Sequence, residues 1–198
     1  MYGIVPSEWK VHKITPVFKA GDTQYVENYR PISLLCILSK VLESIIYAKI
    51  IPFLSDLLCR HQFGFLKGRS AVSQLLITYN NIMRNCESGQ STDQVYFDFS
   101  KAFDSVPHSL LLYKLWMLGI TGPLWCWFKD YLNQRMHFVE IEGCSSQMLP
   151  VRSGVPQGSI LGPLLFLVFV NDIPDVIDSS HLFLFADDSK LQNVSSLS

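Results

Sequence analysis

His181-Leu182-Phe183-Leu184-Phe185-Ala186-Asp187-Asp188-Ser189-Lys190 is the stretch from which the rest of the chain is read. Leu182 to Phe185 is short, aliphatic and aromatic, which predicts a buried strand. The strand then delivers two adjacent carboxylates at its tip. Neighbouring carboxylates repel, and ionising both is unfavourable unless a cation lies between them. A divalent-metal site explains the pair. A solvated Asp-Asp turn is the alternative reading.

A second stretch has the same character. Val95-Tyr96-Phe97-Asp98-Phe99 is β-branched and aromatic with one acid inside it. An Asp buried in such a strand is costly unless paired or bound to metal. An edge-strand Asp facing water is the alternative. Two strands that each present Asp at an end can set Asp98 beside Asp187 and Asp188. Ligation by carboxylates alone suits Mg²⁺, which takes oxygen ligands and shares them with substrate phosphates.

Outward from these strands, Val11 to Lys19 reads as extended, with a turn at Ala20-Gly21-Asp22. Ser39 to Ile51 carries Val41, Leu42, Ile45 and Ile46 at helical spacing, with Ser39 as a candidate N-cap. Ser70 to Arg84 is the clearest helix, its apolar side formed by Val72, Leu75, Leu76, Tyr79, Ile82 and Met83. Cys86 to Thr92 reads as a polar loop. His108 to Leu118 is a helix closed by Gly119, and Pro123 to Tyr131 starts another with Pro in its first turn. Trp125, Trp127 and Phe128 read as core. Arg135–Glu142 and Gln147–Arg152 form a hairpin across Gly143-Cys144-Ser145-Ser146, and Gly158 to Val170 is a buried helix. Leu182–Phe185 and Lys190–Asn193 flank the acidic turn. This order gives an α+β fold with an antiparallel sheet packed on helices.

Composition sets limits. A chain of 198 residues that is 48% hydrophobic and 17% charged can bury a core. Net charge is −1, low for a nucleic-acid binder, but it is unevenly placed. Residues 1–70 hold nine Lys/Arg and five Asp/Glu, giving +4, and residues 71–198 hold seven and twelve, giving −5. Five scattered cysteines without CxxC spacing suggest reduced thiols serving as core fillers in an intracellular protein. No secretory signal is visible, and the most apolar run, Ile160 to Val170, is shorter than the ~20 residues that span a bilayer.

The chain resembles the reverse transcriptases of non-LTR, LINE-type, jockey-like retrotransposons. Five blocks carry the resemblance in order: Ile14–Asp22 continuing to Asn28–Leu35, His61–Ser70, Phe97–Asp104, Ser153–Pro163 and Phe185–Asp188. Many relatives have Tyr where this chain has Phe185. The resemblance implies a right-hand polymerase, with a fingers-like region over residues 1–92 and a palm region over 93–198. It implies RNA-directed DNA synthesis on an RNA template from a DNA primer and dNTPs.

The same resemblance implies site roles. Asp98, Asp187 and Asp188 are expected to be catalytic and to hold two Mg²⁺ ions, for which Mn²⁺ can substitute, with the backbone carbonyl of Phe99 as a further ligand. Lys19 and Arg30 are expected to grip the triphosphate, as a point charge and a bidentate fork. Phe103 would exclude a 2′-hydroxyl, and Gln157 would lie beside the incoming nucleotide. Lys67, Gly68 and Arg69 would contact the template. Asp104 is expected only to cap the next helix.

The family also has a thumb after the Asp-Asp hairpin and often an endonuclease before the first block. The segment read here is therefore expected to leave apolar surface open, to bind duplex weakly and to be nearly inert alone. No membrane partner is expected. Localisation is expected in the nucleus or cytoplasm, within an element ribonucleoprotein. The alternatives are an inactive remnant that keeps the fold and binds nucleic acid weakly, and a group II intron maturase.

Overall fold

The computed structural model describes residues 3–178 and 180–196. The elements form two sheets and a core built mainly from helices. The first is built on β1 (Val11–Phe18), which pairs antiparallel with β2 (Tyr29–Leu34). On its other edge β1 runs parallel to β4 (Met136–Ile141), so the chain's two halves share one sheet. Short strands β5 (Cys144–Ser145) and β6 (Leu149–Pro150) also pair with β4. The second sheet is antiparallel, in the order β3 (Gln90–Asp98), β8 (Asp188–Ser196), β7 (His181–Phe185).

The helices are α1 (Ser7–Lys10), α2 (Ile37–Leu54), α3 (Ala71–Glu87), α4 (His108–Met117), α5 (Gly122–Leu132) and α6 (Leu161–Phe169). The core lies where α4, α5 and α6 meet the end of α2. Leu54, Leu111, Leu115, Phe128 and Leu161 are fully enclosed there. Burial of each such side chain contributes about 1.5–3 kcal/mol. Trp127 and Phe128 are core residues as expected, and Trp125 packs partly buried at its margin, its indole N–H donating to Leu112 O.

The elements match the expected order, with local differences that have physical causes. Helix α2 begins at Ile37, so Ser39 is not its cap. Ser39 is buried within the first turn and donates to Glu43 Oε1. The expected loop over Cys86–Thr92 shrinks to a turn, because α3 runs to Glu87 and β3 starts at Gln90. The hairpin after α5 turns at Glu142-Gly143, both at positive φ, which frees Cys144-Ser145 to pair. Helix α6 starts at Leu161, three residues later than expected. The cysteines carry no disulfide, but Cys86, Cys126 and Cys144 are exposed rather than core fillers.

Helix α3 turns its polar side inward. Thr78 is buried and accepts from Lys190 Nζ at 2.7 Å; Asn81 donates to Gln192 Oε1 and Asn85 to Thr92 Oγ1. Buried polar groups on β8 need partners, and the polar side of α3 supplies them. Val72, Leu75, Leu76, Tyr79 and Met83, on the expected apolar side, are exposed. Strand β3 is an edge strand, and Val95, Tyr96, Phe97 and Asp98 are exposed, so the expected buried setting for Asp98 is not found. The expected division at residue 92 falls inside β3. Among the described residues, no helix is long and apolar enough to cross a membrane.

Candidate active site

The acidic turn is held from beneath. Ala186 takes a left-handed conformation, φ +55°, between β7 and β8. Gln62, almost fully buried, fastens it: its Oε1 accepts from Ala186 N at 2.9 Å and from Gly64 N at 2.8 Å. The backbone of this segment extends the sheet, since Phe63 N donates to Leu184 O at 2.7 Å and Leu184 N to His61 O at 2.9 Å. Only glycine fits at 64, because a Cβ there would lie 2.5 Å from Ala186 N. The block His61–Ser70 thus acts first as a buttress for Asp187 and Asp188. The sequence gives no sign of this role for Gln62, since a lone glutamine beside two aromatics carries no signal of burial.

Strand register brings the acids together. Asp98 and Asp188 are directly opposed as the last pair of the β3–β8 ladder. Such pairs have Cβ atoms about 4.5–5.5 Å apart. Asp187 precedes Asp188 in the turn. The Asp188 carboxyl is pushed above its usual range, first by loss of water around it, then by the charges of Asp187 and Asp98. Lys19 opposes the rise, so its charge reaches the same place. Among the described residues no group of three His, Cys, Asp or Glu side chains is placed to hold a metal ion by itself. The donor set still suits Mg²⁺, which is usually held by one or two carboxylates together with substrate phosphates. Phe99 follows Asp98 directly, with its ring exposed.

Lys19 and Arg30 stand at the end of the β1–β2 hairpin. Arg30 pairs with Val17, and Lys19 N donates to Asn28 O at 2.8 Å, which puts both basic residues on one face as diagonal neighbours. Both are exposed. Phe103 is partly buried. Its ring stacks on Phe166 of α6 at 4.3 Å between centroids and meets the edge of Phe65 at 6.2 Å.

Residues 103–108 and 153–157 are zipped together. Gly154 N donates to Val106 O at 2.8 Å, Val155 N to Phe103 O at 2.8 Å and Ser153 Oγ to Asp104 O at 2.9 Å. His108 Nε2 lies 2.8 Å from Gly154 O. Gly154, at φ +89°, rests so close to Asp104 that a Cβ would meet its Cα at 2.7 Å. Gln157 Nε2 donates to Asp104 Oδ1 at 2.9 Å, while Gln157 O accepts from Ser33 N of β2 at 2.7 Å. Asp104 therefore does not cap α4, whose N-cap position is Pro107 and has no side-chain cap.

Of the expected template group, Lys67 and Gly68 are exposed. Arg69 differs: Nη1 reaches the carbonyls of Gln62 at 2.6 Å, Arg60 at 2.9 Å and Cys59 at 3.2 Å. Its guanidinium staples the loop that carries Gln62, because carbonyls in a tight turn otherwise lack donors.

Glu43 carries no signal in the sequence. It is fully buried. Its Oε2 accepts from Ile160 N at 2.8 Å and Leu161 N at 3.3 Å at the start of α6, and its Oε1 accepts from Ser39 and Tyr131 hydroxyls. A carboxylate from α2 thereby caps α6 and anchors the loop that bears Gln157.

With this geometry in view, comparison with known proteins is decisive. Residues 17–193 match the family model described as reverse transcriptase (RNA-dependent DNA polymerase). The chain belongs to the reverse transcriptase family. A probable RNA-directed DNA polymerase from transposon BS of Drosophila melanogaster is 37% identical over 172 residues, covering 85% of this chain and 19% of that protein. The RNA-directed DNA polymerase from mobile element jockey of the same species is 34% identical over 175 residues, covering 87% and 19%. The chain thus spans about a fifth of the length of the curated relatives it matches. In fold it is similar to telomerase from Candida tropicalis, with a TM-score of 0.66 at 12% identity, over 96% of this chain and 37% of that one. The expected polymerase fold and the jockey-like, non-LTR affinity are both borne out.

Proposed function

We propose that this reverse transcriptase segment carries the nucleotidyl-transfer site of an RNA-directed DNA polymerase. The observation that carries the reading is the opposition of Asp98 and Asp188 at the end of one ladder, beside Asp187, on a turn clamped by Gln62. In the reaction a primer 3′-oxygen forms a bond to the α-phosphorus of a dNTP. The bond from that phosphorus to the β-bridging oxygen breaks, pyrophosphate leaves, and the hydroxyl proton is released. Asp98, Asp187 and Asp188, with the Phe99 carbonyl, would hold two Mg²⁺ ions. When bound, such ions acidify the attacking hydroxyl and neutralise the triphosphate.

The chain's own groups do the rest. Lys19 and Arg30 present positive charge from one hairpin face to the phosphates. Phe103, braced by Phe166, sets a wall beneath the sugar. Lys67 and Gly68 remain candidates for template contact, through phosphate rather than base. The fingers-like front and the palm are then functional regions of one interleaved body, and RNA template and DNA primer are its partners. Its place of work would be nuclear or cytoplasmic.

The test is single-nucleotide addition to a DNA primer on RNA, with Mg²⁺ and protein in excess so that weak duplex binding is no obstacle. Addition by the wild type, lost in Asp187→Asn, supports the reading. The rival outcome is a fold that binds nucleic acid without synthesis. Duplex binding with no Mg²⁺-dependent addition would favour it instead.

A further inference from the structure

The Asp104 side chain joins two parts of the site that sequence keeps 53 positions apart. Its Oδ1 accepts from Gln157 Nε2 at 2.9 Å. With Oδ1 as the acceptor, the amino end of the Gln157 amide faces Asp104. The amide oxygen is left pointing elsewhere, and among the described residues it takes no hydrogen bond. Around this contact the backbone is already rigid: Val155 N is bonded to Phe103 O, Gly154 N to Val106 O, and Ser153 Oγ to Asp104 O. The main chains of the two loops are thus fastened without the Asp104 side chain. That carboxylate is left with one visible task, the orientation of Gln157. Both residues are partly buried, so the pair is screened from bulk water without being sealed from a ligand.

We propose that Asp104 is a positioning residue for the incoming nucleotide: it turns the Gln157 amide so that its carbonyl oxygen accepts from a donor on the nucleotide's sugar or base. The inference rests on the polymerase reading above. It makes Phe103 and Gln157 one unit, since Asp104 is the residue next to Phe103. The sugar wall and the amide acceptor then move together.

The experiment is steady-state single-nucleotide addition by the full chain, with KM for dNTP and kcat measured separately, in Asp104→Ala, Gln157→Ala and the double variant. Each single variant is expected to raise KM about tenfold, the worth of one well-made hydrogen bond, with kcat changed less than threefold. The double variant should match Gln157→Ala alone, because Asp104 acts through Gln157. Asp104→Asn, which keeps an acceptor oxygen at the same place, should restore KM. Ser153→Ala, which cuts the zipper without touching Gln157, should leave KM near wild type. Should Asp104→Ala fail to fold, Asp104→Ser gives the same comparison, since a serine hydroxyl stops one bond short of the Oδ1 position. A double variant whose KM rises by the product of the singles, or Asp104→Ala with wild-type KM, overturns the proposal. A wild type that adds no nucleotide overturns the polymerase reading itself, a result distinct from either.

Discussion

Glu43 and the Asp98–Asp187–Asp188 group carry the same functional group into opposite surroundings. Glu43 is fully buried, yet each of its oxygens is satisfied: two backbone amides on one, two hydroxyls on the other. The three aspartates sit at the mouth of a sheet, Asp98 opposed in register to Asp188, and loss of water followed by the charges of Asp187 and Asp98 holds the Asp188 carboxyl above its usual range. In one place the fold has closed the electrostatic account. In the other it leaves a concentration of negative charge, which on the proposed reading a cation would complete. A buried acid with four donors reads as structure, and neighbouring acids that reach solvent, with no donor among the described residues, read as chemistry.

The largest expected effect breaks the second half of that comparison. Asp98→Asn keeps the shape and removes one charge from the pair. Nucleotide addition should fall at least about a thousandfold, the loss of several kcal/mol of charge stabilisation. Melting should shift by no more than about 0.5 kcal/mol, because the residue is exposed. A folded Asp98→Asn protein that still extends primers near the wild-type rate would remove Asp98 from the mechanism.

Glu43→Ala attacks the other half. It strips the α6 amides of their acceptor inside the core and leaves Arg135 without its nearby compensating charge. Arg135 is itself almost fully buried, with Nε and Nη2 unpartnered. Removing one member of such a buried set costs roughly 3–5 kcal/mol. Urea denaturation reads this directly, and a loss below about 1 kcal/mol would show that the cap is dispensable.

His12 belongs to the same buried neighbourhood. It pairs in register with His137, its Nδ1 has no partner, and its pKa is lowered to about 4 from 6.5. Burial is the main cause, with Arg135 and His137 adding to it. Between those two values the unfolded chain binds a proton that the folded chain refuses. Stability should therefore be whole above pH 6.5 and decline as pH falls toward 4, by roughly 3 kcal/mol. His12→Gln should flatten that decline in melting curves taken from pH 7 to pH 4. An equally steep decline in the variant would assign it to other groups.

Phe103 links the two regions. It follows Asp98 by five residues, and its ring stacks on Phe166 in the helix that Glu43 caps. Phe103→Ala should open the space beneath the sugar and raise ribonucleotide incorporation, relative to deoxynucleotide, by roughly 10–100-fold. An unchanged ratio, with only a lower melting temperature, would make Phe103 a packing residue alone.

The legible parts of the molecule were those written in local pattern. Leu182–Phe185 reads as a buried strand because its burial is continuous, and Asp187 and Asp188 stand out because charge there needs a reason. Gly119 and Pro123 mark helix ends by backbone geometry alone. What stayed hidden depends on the third dimension. The periodicity of α3 correctly gives a helix but not its orientation, since Lys190 and Gln192 lie more than 100 positions away and demand the polar side. Glu43 sits on an apolar helix and looks like a solvated charge until Ile160 and Tyr131 arrive beside it. Asp104 resembled a helix cap because its partner, Gln157, comes from another loop.

The smallest effect is the most specific test of what the aspartates are waiting for. Asp188 is raised first by loss of water and then by the charges of Asp187 and Asp98, which a cation would neutralise. With no divalent ion present, Asp188→Asn relieves repulsion at an exposed site, so stability should rise slightly, by no more than about 0.5 kcal/mol. With Mg²⁺ added, the order should reverse. The wild type gains stability by linkage, because an ion that binds only the folded state raises its melting temperature as concentration passes Kd. The variant, with one donor fewer, should gain less, and the two melting curves should cross as Mg²⁺ is titrated. Glu43→Gln is the matched control, since its carboxylate is already satisfied and its response to Mg²⁺ should equal that of the wild type. If Asp188→Asn lowers stability without the ion, or if Mg²⁺ shifts both proteins equally, the repulsion at the ladder's end is not held in reserve for a cation, and the contrast between the two kinds of carboxylate falls.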